Sequence, residues 1–193
     1  MKLEKEITIK VNSDYETLHN ELIEKGFKIV ENYQLNDIYM LPKSININSL
    51  KTLEILKKCC LIRNVVGIAK KIVYKYKKYD SENNIIEQGK VQCGIDSIDD
   101  AVKFMKSIDF VELFKIEDHT IVYSNNGICL AVQIVNDKYL FIEMEETSEH
   151  TSKKYDSIAE MKNDFNSIGL DCDYTNYFAK KAELVFNEKY KEK

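Results

Sequence analysis

The sequence predicts an α+β fold in which about eight antiparallel strands form a β-barrel with flanking helices. Most of the chain consists of extended segments that follow one another with short turns, which is typical of an antiparallel sheet. Only a few segments have the capped, amphipathic pattern of a helix. Several strands also place polar and charged side chains on one face. For that many strands together, a polar barrel interior is favoured over a solvated sheet surface.

The strands are predicted from alternation and from turn residues. Residues 4–11 alternate strictly between polar and apolar side chains, which is the period of a strand. Turn chemistry at 80–86 and 124–127 predicts two hairpins. The other extended segments are predicted at 27–41, 60–65, 70–79, 87–95, 111–117, 119–124, 128–135 and 139–146.

The helices are predicted from their caps. Residues 13–16 (Ser-Asp-Tyr-Glu) form a capping box that opens a helix ending at Lys25-Gly26. Similar starts occur at Ser97 and Ser157. The tail 177–193 is predicted to be a final helix. The segment 44–58 is either a short helix or a loop.

Composition excludes several classes of protein. The 193 residues carry a formal net charge of −4, which offers no basic field for nucleic acid or anionic lipid. Five cysteines without a CxxC pair disfavour both a disulfide framework and a zinc site. No secretory leader and no run of about eighteen apolar residues is found, so a cytoplasmic protein without a membrane or nucleic-acid partner is expected.

Other signals for chemistry are weak. His19, His119 and His150 lack zinc-site spacing and have no evident Ser or Cys partner for a hydrolase triad. No glycine-rich phosphate loop is present, so any phosphate must be bound by side chains. The vicinal Cys59-Cys60 pair is interpreted as strand residues, because a disulfide between neighbours is strained.

Five short motifs occur in a fixed order along the chain. They are Glu6-x-Thr8-x-Lys10, Asp37-x-Tyr39, Leu61-Ile62-Arg63, Tyr74-Lys75 and Phe141-x-Glu143-x-Glu145. In this order, over residues 4–180, the chain resembles the CYTH or triphosphate tunnel metalloenzyme superfamily. That superfamily includes class IV adenylyl cyclases, thiamine triphosphatases and inorganic triphosphatases. The resemblance implies a single domain over 1–193, with an eight-stranded antiparallel β-barrel tunnel.

The resemblance also implies roles for individual residues. Carboxylates at i and i+2 of a strand point to the same side, so Glu143 and Glu145 can act on one hard cation with Glu6 as a third oxygen donor. The expected cofactor is Mg²⁺ or Mn²⁺. Tyr39 and Lys75 match a pair thought to activate water. The expected substrate-binding cations are Lys10, Arg63, Lys75, Lys77 and Lys90.

The chain departs from the superfamily at four motif positions, where neutral or apolar residues replace charge: Thr8, Leu61, Gln92 and Gln133. The leading interpretation is a metal-dependent phosphohydrolase acting on a small molecule that contains a triphosphate. One alternative is a non-catalytic tunnel that binds a phosphorylated anion. Another is a class IV adenylyl cyclase that forms cyclic AMP from ATP. A homodimer is also an open alternative.

Overall fold

The structure is a computed structural model that describes residues 5–79, 85–146, 149–150 and 152–191. Its eight strands form one antiparallel sheet in the order β1-β8-β7-β6-β2-β3-β4-β5. Within the described ranges, hydrogen bonds do not close the sheet, so β1 and β5 are its ends. The strands are β1 Glu6–Lys10, β2 Lys28–Pro42, β3 Cys60–Val65, β4 Ala69–Tyr79, β5 Ile85–Gly94, β6 Phe110–Asn125, β7 Ile128–Val135 and β8 Tyr139–Glu145.

Five helices accompany the sheet: α1 Tyr15–Glu24, α2 Thr52–Leu56, α3 Ile98–Ser107, α4 Ile158–Ile168 and α5 Lys181–Tyr190. The predicted eight-stranded antiparallel sheet with flanking helices is therefore confirmed. No helix among the described residues is both long enough and apolar enough to cross a membrane.

Two local predictions need correction. The segments 111–117 and 119–124 are one strand, β6, because the buried Asp118 between them stays in the antiparallel ladder, paired with Val135 of β7. The N-cap of α1 is Asp14 rather than Ser13, and its carboxylate accepts from the Thr17 N–H. Of the two alternatives for 44–58, the short helix is confirmed, as α2. Of the predicted turn at 80–86, residues 80–84 lie outside the described residues.

The chain divides into two compact units, so the single domain over 1–193 stays a prediction. Unit 1 comprises the described residues of Met1–Tyr33, Lys77–Gln88 and Asp118–Ala179. Unit 2 comprises those of Gln34–Tyr76, Gly89–Glu117 and Lys180–Lys193. Strands β2, β4, β5 and β6 each run through a boundary between the units.

The core of unit 1 lies between one face of its strands and two helices. Ile7 and Ile9 of β1 are fully buried on this face, together with Ile142 of β8. Leu18 of α1 and Phe165 of α4 pack into the same cluster. The outer edge of β1 is also covered, because backbone hydrogen bonds join residue 8 to residues 177 and 179. The apolar half of the alternation in β1 thus fixes which face is turned to the helices.

Unit 2 has its own core, built against α3. Met40 of β2 and Ile62 of β3 are fully buried there with Ala101 and Met105 of α3. The Ser97 side chain caps α3 by accepting from the Asp100 N–H, as the sequence predicts. The opposite face of β2 and β3 carries Tyr39 and the other polar motif residues, because side chains alternate along each strand.

Candidate functional site

The polar half of the alternation in unit 1 brings the acidic motifs together. In the register of β1 and β8, Glu6 is paired with Glu145 and Thr8 with Glu143. Glu143 is in turn paired with Ala131 of β7. Paired residues of antiparallel strands present their side chains on the same face, so these side chains share the face that points away from the helices.

Three carboxylates form a close cluster on this face. One oxygen each of Glu6, Glu143 and Glu145 lies within 4.8 Å of the other two, with Glu6 and Glu143 half-buried and Glu145 exposed. Oxygens bound to one ion lie about 4–5 Å apart at most, since each is about 2.0–2.6 Å from the ion. The set consists of oxygen donors only, which fits a hard cation such as Mg²⁺ or Mn²⁺.

A cavity of about 160 Å³ adjoins two of these carboxylates. This volume accommodates several water molecules, so a hydrated ion fits into it. The lining contains four glutamates and one histidine among mostly small apolar side chains: Glu31, Tyr33, Val122, Cys129, Ala131, Glu143, Glu145, Glu149 and His150.

Tyr33 lies among these acids, and their negative charge affects the pKa of its hydroxyl. Burial raises the pKa of the Tyr33 hydroxyl to about 12, and the negative charges of Glu143, Asp118, Glu31 and Glu145 add to the effect. Tyr33 therefore stays a neutral hydroxyl at physiological pH and can donate a hydrogen bond in this cavity.

His150 reaches the cavity because its segment lies against the β6–β7 turn. The Ser124 hydroxyl donates to the backbone carbonyl of His150 (3.4 Å). Gly127 in the turn has φ +83°, a conformation that favours glycine, and a Cβ there would clash with the Ser152 hydroxyl and lie 3.4 Å from the Lys153 backbone nitrogen. The segment after β8 therefore packs closely on this turn. His150 Nε2 then lies 3.0 Å from a carboxylate oxygen of Glu31.

In unit 2, the motif residue Arg63 forms an ion pair with Asp37. The Arg63 guanidinium donates two hydrogen bonds to the Asp37 carboxylate, from Nε at 2.7 Å and from an Nη at 2.6 Å. The Asp37 side chain is 8% exposed and that of Arg63 is 21% exposed. Asp37 and Arg63 are directly opposite each other in the register of β2 and β3, which explains the bidentate geometry of the pair.

Tyr39 and Lys75 lie on the same face of unit 2. Tyr39 is paired with Leu61, and Leu61 with Val73, two residues before Lys75. The Tyr39 ring stacks on Phe114 with centroids 4.4 Å apart, so its orientation is fixed. Lys75 is half-buried. The roles predicted for these two residues stay predictions.

The remaining predicted cations are spread along the sheet. Lys10 ends β1 and is exposed, and its charge contributes to a lowered pKa of Asp173, after the hydrogen bonds from Thr175. Lys77 is half-buried on β4, and Lys90 is exposed on β5. Their substrate-binding roles stay predictions.

Sequence reasoning missed Glu31, Tyr33, Glu149 and His150. A signal for the first two was present, because Glu31 and Tyr33 have the same parity on β2 as the recognised Asp37 and Tyr39. Nothing local marks Glu149 and His150, since their place depends on how the segment after β8 packs against a distant turn.

No protein-family model and no curated protein matches the chain. Solved structures do match. A Pyrococcus horikoshii protein, PH1819, is 17% identical with TM-score 0.66, covering 96% of this chain and 99% of its own. HpAC1 from Hippeastrum, a candidate adenylyl cyclase with a dominant triphosphatase activity, is 14% identical with TM-score 0.61, covering 96% of both chains.

A third similar structure is a protein from Vibrio parahaemolyticus that is proposed to be an adenylate cyclase. It is 10% identical with TM-score 0.52, covering 86% of this chain and 84% of its own. At such identities the likeness concerns the fold, and it confirms the CYTH-like fold that the motif order predicts. A shared fold leaves the activity to be argued from the site.

Proposed function

We propose that this chain, a divergent protein with the CYTH fold, is a metal-dependent phosphohydrolase that acts on a small molecule containing a triphosphate. The observation that carries the proposal is the cluster of Glu6, Glu143 and Glu145 within 4.8 Å. Glu6 is far in sequence from Glu143 and Glu145, and the sheet register brings it to them on the face opposite the core. The triphosphatase activity of the similar HpAC1 supports the same chemistry.

In this proposal, Glu6, Glu143 and Glu145 hold Mg²⁺ or Mn²⁺, which supplies charge neutralisation for phosphate oxygens. Three carboxylates leave coordination positions for water and substrate, as Mg²⁺ sites usually require. The neutral Tyr33 hydroxyl, among the acids of the same cavity, is a hydrogen-bond donor for an anionic oxygen.

The basic motif residues have the complementary role in the proposal. Lys10, Lys75, Lys77 and Lys90 act as point charges for phosphate, and Arg63 as a planar donor. Tyr39 and Lys75 form the pair that positions and deprotonates the attacking water. The fixed ring of Tyr39 on Phe114 supports a positioning role for its hydroxyl.

The proposal is tested by measuring phosphate release from tripolyphosphate, thiamine triphosphate and ATP, each with Mg²⁺ or Mn²⁺. Glu143→Gln should lower turnover on the preferred substrate by at least about 100-fold, equivalent to ~3 kcal/mol, since it removes a ligand charge without changing volume. Lys75→Ala should lower it as well.

Matched controls are Glu24→Gln on α1 and Lys103→Ala on α3, both of which change exposed side chains. They should leave turnover unchanged. Loss of turnover in Glu143→Gln, purified in the same way, excludes a contaminating phosphatase. Unchanged rates in both Glu143→Gln and Lys75→Ala would overturn the proposal.

One observation favours a second candidate, a protein that binds a phosphorylated anion without hydrolysing it. Arg63 is held by both oxygens of Asp37, which lowers the positive charge available to a phosphate chain. On the polar face of unit 1, Thr8 and Gln133 are neutral at positions where the resemblance leads one to expect acids, so fewer negative charges are available to hold a catalytic cation. Metal-independent binding of tripolyphosphate without phosphate release would select this candidate. Formation of cyclic AMP from ATP in the same assay would instead select an adenylyl cyclase.

A further inference from the structure

Gln133 is a buried polar side chain with an unused hydrogen-bond acceptor. The side chain is on β7, and the residue is 4% exposed. Its carbonyl oxygen Oε1 has no hydrogen-bond partner among the described residues. A buried acceptor without a partner is costly, so native proteins usually satisfy it with protein, water or ligand.

The sheet register places Gln133 on the acidic face of unit 1. Gln133 is paired with Phe141 on one side and with Thr120 on the other. It is two residues from Ala131, which is paired with Glu143. Gln133 and Glu143 are therefore diagonal neighbours on one face, where long side chains are within reach of each other.

Diagonal neighbours with side chains as long as glutamine and glutamate can both hydrogen-bond to a water molecule that lies between them. A water bound to Mg²⁺ lies about 2 Å from the ion and can donate a hydrogen bond over a further ~2.8 Å. The three carboxylates leave such waters on the ion, and each water has two protons that need acceptors.

We propose that Gln133 Oε1 accepts a hydrogen bond from a water on the cation held by Glu6, Glu143 and Glu145, and thereby positions the ion's hydration shell. Gln133 is thus a positioning residue whose neutral oxygen tunes cation affinity. The inference rests on the proposed function only in requiring that the cluster binds a divalent cation.

The test measures Mg²⁺ and Mn²⁺ binding to the whole protein by calorimetry, without substrate. Gln133→Met removes the acceptor at similar volume and should weaken the affinity about 10-fold, the low end for residues that hold a metal's ligands in place. Gln133→Glu retains an acceptor oxygen and should keep or tighten the affinity. Gln92→Met on β5 is the control, because Gln92 is exposed.

Thermal unfolding without metal separates this role from a structural one. Loss of an unpaired buried acceptor should make Gln133→Met more stable, by about 2–4 °C in Tm. If Gln133 had only a structural role, Gln133→Met would have a lower Tm than the wild type. Wild-type affinity in Gln133→Met, reduced stability of that variant, or weaker binding by Gln133→Glu would each overturn the inference. Absence of cation binding by the wild-type protein would overturn the proposed function itself, and this inference with it.

Discussion

The two units differ in how charged side chains are arranged on their polar sheet faces. In unit 1, like charges are gathered, since three glutamate oxygens lie within 4.8 Å of one another. In unit 2, opposite charges are paired, since Asp37 accepts two hydrogen bonds from Arg63. Both arrangements arise from direct cross-strand pairing, of Glu6 with Glu145 and of Asp37 with Arg63.

The difference shows which of the two arrangements a bound cation would stabilise. A buried acid bonded to arginine at both oxygens is satisfied by the fold and contributes to holding it. Carboxylates in close proximity repel one another, and a divalent cation relieves that repulsion. We therefore expect the polar face of unit 1 to respond to added cation, and the Asp37–Arg63 pair of unit 2 to respond to mutation of either partner.

The largest effect is expected from breaking the pair of unit 2. Arg63→Met leaves the buried Asp37 carboxylate without its two donors and should lower the free energy of unfolding by about 3 kcal/mol. Urea denaturation monitored by circular dichroism measures this loss. The double variant Asp37→Leu with Arg63→Met should recover most of it, because no charge is then left buried. A double variant no more stable than Arg63→Met would contradict the pairing argument.

A smaller effect on stability is expected when Mg²⁺ binds to the cluster of Glu6, Glu143 and Glu145 in unit 1. Mg²⁺ at about 100 times its dissociation constant should stabilise the native protein by about 2.7 kcal/mol, since the ion binds the folded state only. In Glu143→Gln the increase should be largely lost, while Glu24→Gln should retain it. Thermal unfolding with and without Mg²⁺ measures the effect. An equal increase in all three proteins would place the ion elsewhere.

The smallest effect concerns the ionisation of Tyr33. An unfolded tyrosine ionises near pH 10, whereas burial and the neighbouring acids raise the pKa of Tyr33 to about 12. Between these values the unfolded chain loses a proton that the folded chain keeps, so stability falls as pH rises. Tyr33→Phe should therefore lose less stability than the wild type between pH 9 and pH 11. Equal losses, measured by urea denaturation at both values, would contradict the raised pKa.

Local elements with strong signals could be predicted from the sequence. The period-two alternation identified β1, and the serine caps identified α3 and α4. The break expected between 117 and 119 was wrong, because Asp118 is buried within β6 and accepts a hydrogen bond from Thr120. Burial of Asp118 is a long-range property that no local pattern contains.

The sequence by itself determined which side chains share a face of each strand, because that follows from the pleat of the backbone. It thereby placed Glu143 beside Glu145, and Thr8 between Glu6 and Lys10. Only the tertiary structure decided that Glu6 is paired with Glu145 and that Asp37 forms an ion pair with Arg63. It also decided that Gln133 Oε1 is buried without a hydrogen-bond partner among the described residues. These facts depend on strand register, which is set by packing of the apolar faces against the helices and not by the polar residues themselves.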